Sequence, residues 1–298
     1  MTSVKKPGLR RKNHFVPKAL LRQWILPNCN DRINNLRGWS WDQRRQKLQS
    51  KDRGIDAFCF QIDLLTTRSR LGLSDALEHE FEAVDTAAAI ARDKITTRGV
   101  EHLSVQERSN FAYFLMSLEI RRPTHVQRLR SSPELIRNEV NSDQQILEHF
   151  RALGIKESPI EFWERQHPDI IFDEQSFERS MNAVATHTAT HNNLVAANWF
   201  MISLLPADGT FIASDRPVLK SNGYFKPAGD WFWYLPLSPL RALLVTPHER
   251  MTITDRRGFR ERFNRLIAEQ TERYVFSIVN TVTDWLSPIL AKRTVLDK

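Results

Sequence analysis

Several polar side chains of this chain stand where helix periodicity calls for apolar ones, and these could do chemistry. Arg121 falls three residues after Leu118, on the apolar side of its helix. A guanidinium there costs several kcal/mol unless a carboxylate and hydrogen bonds compensate it. Glu78, Glu82 and Asp85 recur at spacings of four and three beside the stripe Leu77, Phe81 and Val84. They form an acidic edge bordering the core and are natural partners of Arg121. One reading is a structural salt bridge between packed helices. The other is an acidic pocket for a cation or a basic group. His187 and His191 are four apart, so one helix face could offer both imidazoles to a metal. No Glu follows His187 directly, so the zinc-protease pattern is absent, and satisfied histidines are the plainer reading. Asp215 lies in Ser214-Asp215-Arg216-Pro217, directly after a strand. A carboxylate so placed suits catalysis or a metal as well as it suits a capping turn. Trp231 to Tyr234 could stack bases, but four aromatics in a row more often fill two packed faces. There is no P-loop, no G-x-S-x-G and no G-x-G-x-x-G.

Helices and a small sheet must position these residues. The clearest helix spans 74–95, with Leu77, Phe81, Val84, Ala88, Ala91 and Ile95 on one stripe. The next opens at Ser104 with Glu107 three residues on, a capping box, and Pro123 is expected to stop it. A short helix is expected from Pro17, a more polar one over 133–151, and another short one over 160–165. A long helix is predicted over 177–205. Strand-like pieces follow at 210–213, 218–220, 231–235 and 240–246, then an amphipathic helix over 259–274 and a last strand over 275–282. Residues 36–41 and 42–49 read as a hairpin, and 58–62 as a short apolar piece. The prediction is an α+β fold, mostly helical, with a small antiparallel β region built from the N-terminal hairpin and C-terminal strands. Residues 1–12 are expected to be a disordered basic arm. Residues 13–298 are expected to form one domain, with segments 13–68, 70–205 and 208–298.

Composition narrows the class. The chain has 298 residues, 41% hydrophobic and 26% charged, which is globular and not disordered. No apolar run approaches a membrane span, and no hydrophobic region follows the basic start as in a secretory signal. Cys29 and Cys59 cannot build a disulfide scaffold, so the expectation is a reduced cytoplasmic protein without a membrane partner. The net charge of +8 is uneven. Residues 1–53 hold 14 Lys/Arg against 3 Asp/Glu, so the excess sits in the N-terminal sixth. The basic residues within 5–53 could form a phosphate footprint for nucleic acid, or simply keep the chain soluble.

Asn13-His14-Phe15-Val16-Pro17, followed by Leu21-Arg22-Gln23-Trp24, resembles the N-terminal signature of the bacterial domain of unknown function 4238 family. The likeness continues through Trp39–Trp41, the acids Glu78 and Asp85, Arg121 with Pro123, Ser214 to Val218, Pro236 to Pro239, and Asn264. It covers about residues 13 to 280. Asp85 stands where Glu is expected, and Trp24 replaces Phe. The family name implies no activity. It marks His14, Glu78, Asp85, Arg121, Asp215 and Asn264 as residues to watch. Were they to converge, His14 would supply an acid or base and Glu78 and Asp215 carboxylates for water. Arg121 would hold an anion, and Asn264 would orient the substrate.

Two functions follow from these readings. The first is a hydrolase acting on nucleic acid or another phosphate ester. His14, Asp215, Glu78, Arg121 and Asn264 would be catalytic, and Lys12, Lys18 and Arg22 would hold substrate. Glu78, Asp85 and Asp215 would ligate a divalent metal cofactor. It predicts that His14→Ala and Asp215→Ala abolish activity with little loss of stability. The second is a non-catalytic nucleic-acid- or protein-binding regulatory domain in which the same residues form a structural network.

Overall fold

The computed structural model describes residues 9–27, 35–69, 72–130, 141–142, 144–166, 181, 188–221 and 231–296. The chain starts with β1 (Lys12–His14) and a single helical turn, α1 (Lys18–Leu21). Strands β2 (Asn35–Asp42), β3 (Lys47–Gly54), β4 (Phe60–Ile62), β5 (Thr67–Ser69) and β6 (Gly72–Ser74) follow. The helical part holds α2 (Ala76–Arg98), α3 (Val105–Ile120), α4 (Pro123–Arg130), α5 (Gln144–Ala152), α6 (Pro159–Gln166) and α7 (Thr188–Ala196). Then come β7 (Asn198–Ser203), β8 (Ala213–Ser214), β9 (Leu219–Lys220), β10 (Trp233–Ser238) and β11 (Arg241–Thr246). Helix α8 (Arg256–Gln270), β12 (Val275–Phe276) and α9 (Thr283–Leu296) end it. The class is α+β, as expected. No helix of the described residues is long and apolar enough to cross a membrane.

The N-terminal hairpin and the C-terminal strands share a sheet, ordered β3-β2-β12-β8 and antiparallel throughout. A second four-stranded sheet runs β7-β11-β10-β9. The aromatic run divides between two cores. Trp231 and Trp233 pack with the α2–α3 side, and Phe232 and Tyr234 pack against α8 and α9. These rings fill two packed faces of one strand and leave no base-stacking platform.

Helices α2 and α3 form where the periodicity places them. Ser104 caps α3 through a reciprocal capping box with Glu107. Leu77, Phe81, Ala88, Ala91 and Ile95 of α2 are buried, as are Phe111, Phe114, Leu115 and Leu118 of α3. The N-terminal motif packs onto this pair: Val16, Leu20, Leu21 and Trp24 are all buried. Trp24 is the deepest, and its indole N–H donates to the Phe211 carbonyl at 3.3 Å.

Two expected elements change. The long helix over 177–205 stops at Ala196, and β7 begins at Asn198. Ile202 fits the predicted helical stripe, but six consecutive pairs with β11 make 198–203 a strand, whose alternation sends Trp199 and Ile202 to opposite faces. The parts of that prediction over 177–180 and 182–187, His187 included, lie outside the described residues. Helix α3 ends at Ile120, as expected ahead of Pro123, and Pro123 in turn opens α4, in keeping with proline's preference for the first helical turn. The last strand shrinks to Val275–Phe276, and α9 follows, its signal obscured by Pro288 within it. Residues 133–140 of the expected polar helix, Cys29, and residues 1–8 of the basic arm also lie outside the described residues. From Arg10 on, that arm is ordered by ion pairs and by β1.

Gly38 lies where β2 meets the core. A Cβ there would come within 2.6 Å of the Phe58 ring and 3.3 Å of Phe276. Gly54, at the end of β3, has nothing within 4 Å of a Cβ and an ordinary φ of −57°. Gly38→Ala should therefore cost about 1–3 kcal/mol by overpacking, while Gly54→Ala should be neutral or slightly stabilising. Urea denaturation of the two variants measures the contrast, and equal stabilities would contradict this packing.

Candidate functional site

A cleft of about 760 Å³ opens between the N-terminal strand and α2. His14, Lys12, Lys18, Glu78, Asp85 and Arg121 all line it. Six of the residues marked by sequence are thus brought together. Arg22, Asp215 and Asn264 are not among them.

Strand alternation explains how His14 reaches this space. Asn13 points inward and is fully buried. Its amide oxygen accepts from the Leu65 N–H at 3.0 Å, and its amide nitrogen donates to the Arg10 carbonyl at 3.1 Å. His14 on the opposite phase faces the cleft, tilted against Phe60 at 5.9 Å between ring centroids. Its Nε2 has no hydrogen-bond partner among the described residues and lies 3.9 Å from an Asp56 oxygen. Lys18 ion-pairs with Asp56, and Lys12 donates to the Asp56 carbonyl at 2.5 Å while covering the Phe60 ring at 4.0 Å. Burial, and then the charges of Lys18 and Lys12, push the His14 pKa down to about 4 against the pull of Asp56. The imidazole is therefore neutral at neutral pH.

Glu78 has the complementary condition. Burial raises its carboxyl above the ordinary glutamate value, and nearby Asp85 adds to the rise. Arg121, a hydrogen bond from Asn13, and Arg10 pull it back. Neighbouring Glu82 is spent on Arg10 at 2.5 Å.

Arg121 caps the C-terminus of α3 and is 1% exposed. Asp85 accepts two parallel bonds from it, at 2.9 and 2.8 Å. Ser117 accepts two more through its carbonyl and its hydroxyl, and the guanidinium lies 4.9 Å from the Phe81 ring centroid. This is the fork-to-fork pair that makes a buried cation tolerable. It joins α2 to α3, the structural option left open by the sequence.

Asp215 and Asn264 serve the backbone elsewhere. The Asp215 carboxylate accepts N–H bonds from Glu272, Arg273 and Tyr274 at 3.0, 2.5 and 2.8 Å. Burial raises its pKa to about 7 against those three donors. Asn264 donates to the Thr210 carbonyl at 2.9 Å and accepts from the Ile212 N–H at 3.1 Å. The expected trio Glu78, Asp85 and Asp215 is consequently not assembled, because Asp215 faces the 272–274 loop. Among the described residues no group of three or more His, Cys, Asp or Glu could hold a metal ion. Arg22 is exposed on a 3-10 turn away from the cleft. His191 is a satisfied histidine, stacked on Tyr113 at 3.9 Å with the Ser109 hydroxyl 3.0 Å from its Nε2.

Sequence reasoning missed Asn13, Asp56 and Ser117. Asn13 was quoted only as part of a motif, though its place beside His14 was the available signal. Asp56 and Ser117 carry no periodic signal.

The basic block is also less bare than its composition implies. Arg11 pairs with Asp63, Arg37 with Asp52 and Lys18 with Asp56. Within the cleft, Asp93 adds a further acid opposite the cations.

The family model described as "Protein of unknown function (DUF4238)" matches residues 12–278. The chain belongs to this family. Its match begins at β1 and ends just beyond β12, so it takes in the cleft apart from Arg10 and Arg11 and leaves α9 outside. No curated protein and no solved structure matches the chain.

Two predictions follow from the buried groups. His14 has a folded pKa of about 4 against an ordinary 6.5, so the unfolded chain binds more protons between those values. The stability due to neutral His14 is complete above pH 6.5 and is lost as pH falls toward 4, by roughly 3 kcal/mol at most. Urea melts at pH 7 and pH 4.5 should show a smaller acid loss in His14→Gln than in the parent. Asp215→Ala would strand three backbone N–H groups and should cost about 3 kcal/mol or more, with Asp215→Asn costing less. This corrects the expectation that Asp215→Ala spares stability, and thermal melts of both variants measure it.

Proposed function

We propose that the protein is a hydrolase that cleaves a phosphate ester in the cleft between β1 and α2. One juxtaposition carries the reading. A neutral histidine with an unpartnered Nε2 shares a solvent-reached cleft with a carboxyl whose pKa is raised. Groups shifted in opposite directions in this way suit a neutral imidazole as base and a carboxyl as acid. His14 Nε2 takes a proton from water as its oxygen bonds to phosphorus. Glu78 gives a proton to the leaving oxygen as the ester P–O bond breaks. Lys12 and Lys18 hold the phosphoryl oxygens, and Arg121 keeps Asp85 and α2 in place. The internal pairing of the basic block favours a small phosphate ester over an extended nucleic-acid backbone, whose grip depends on unpaired cations.

Hydrolysis of p-nitrophenyl phosphate, bis-p-nitrophenyl phosphate and a single-stranded oligonucleotide tests this. His14→Ala and Glu78→Gln should each lower kcat by about a hundredfold or more while retaining a cooperative melt. A parent protein inactive on all three substrates, or variants that cleave as fast as the parent, would overturn the proposal.

The saturation of Arg121 by Asp85 and Ser117 favours a second reading, a non-catalytic regulatory domain that binds nucleic acid or protein. In that case His14 and Glu78 would change binding and no turnover would be found.

A further inference from the structure

A second cleft, of about 440 Å³, lies between α8 and α9. We propose that it binds a nucleotide, with the phosphate on Arg260 and Arg265 and the base against Trp285. The volume is that of a small-ligand site.

The floor of this cleft is held in a fixed shape. Asn264 bridges the Thr210 carbonyl and the Ile212 N–H, which pins the turn after β7 to α8. In that turn Gly209 has φ +88°, a left-handed conformation that suits glycine. A Cβ at this position would run into the Arg260 guanidinium, so that side chain lies directly against the turn. The sequence had marked Asn264 for a role in orienting substrate. The structure places it in the floor of this cleft and not with His14.

The cations here differ from those of the N-terminal block. Arg260 donates one terminal nitrogen to Glu261 at 2.6 Å. Its Nε is buried and has no hydrogen-bond partner among the described residues. Arg265 is exposed and makes no ion pair among the described residues. A phosphate oxygen is the acceptor that a planar guanidinium matches best. The opposite wall is apolar, with Val279 and Val282 beside half-buried Trp285. Indole faces take purine or pyrimidine rings by stacking. One wall thus suits the anion and the other the ring, which together describe a nucleotide. Trp285 stands on α9, outside the residues matched by the family model, so the site joins a family helix to a helix beyond the match.

Calorimetric titration with AMP, adenosine and inorganic phosphate tests the assignment on the full chain. AMP should bind more tightly than either part alone. Arg265→Ala and Trp285→Leu should each weaken AMP by about tenfold or more, and Trp285→Phe should retain most of the affinity. Arg265 and Trp285 both lie outside the His14 cleft, so a loss of affinity in their variants assigns the binding to this site. Arg265 is exposed, so its truncation leaves the core intact and keeps the test informative if a Trp285 variant fails to fold. The proposal is overturned by a parent that does not bind AMP at millimolar concentration. It is equally overturned by inorganic phosphate binding as tightly as AMP, by unchanged affinity in Arg265→Ala, or by a single-stranded 12-mer binding where AMP does not.

Discussion

The buried amide of Asn13 is the tie on which the N-terminal architecture depends. It satisfies the backbone of Leu65 on one side and of Arg10 on the other, and it hydrogen-bonds Glu78. A buried amide that lost these partners would leave unpaired polar groups in a dry core, a large cost for a single residue. Because Asn13 must point inward, strand alternation turns His14 outward to the cleft. The same tie brings Arg10 to Glu82 and Asp75, so a basic segment that composition alone would leave loose is laid along α2. Structure and candidate chemistry share one origin here: the residue that fixes the strand also touches the carboxyl opposite the histidine.

Buried charge is handled in two ways elsewhere. Arg121 and Asp85 solve it by mutual pairing, with Ser117 and the Phe81 face completing the shell. Asp215 relies instead on three consecutive backbone N–H groups. Burial dominates there and lifts its pKa against those donors. The two carboxylates looked alike in sequence as candidate ligands. Their partners make one a link between helices and the other a clasp that holds the start of β12 to the end of β8.

How much was legible depends on how local the signal was. Helix α3 could be read from Ser104 and Glu107 alone, since a capping box lies within four residues. The shared sheet of N- and C-terminal strands could be inferred from apolar pieces at both ends, but its register could not, because Gly38 opposite Phe276 is a long-range pairing. Strand β7 was misread because Ile202 falls in step with the apolar stripe of the preceding segment, and only β11 as a neighbour decides for the strand. The site divided in the same manner. Arg121 with Asp85 was deducible from two helix stripes. The convergence of His14 with Glu78 followed from a motif resemblance and needed the fold to become a geometry. That Asp215 and Asn264 serve backbone groups depends on loops at 210–212 and 272–274, which have no periodicity to read.

Charge is the clearest case in which counting and geometry part. By composition the excess lies in residues 1–53, and the rest of the chain is slightly acidic. In the fold, Arg10, Arg11, Lys18 and Arg37 of that block pair with Glu82, Asp63, Asp56 and Asp52. Helix α8 belongs to the acidic remainder, yet it carries Arg256, Arg257, Arg260, Arg262 and Arg265 within ten residues, with Glu261 shared by Arg257 and Arg260. Potential at a surface depends on which charges lack a close opposite partner, because paired ions cancel beyond a few ångströms and salt screens what remains. A net count over a segment cannot register that difference. By this measure the second cleft offers Arg265 without an ion pair among the described residues, although the N-terminal block is the more cationic stretch of sequence.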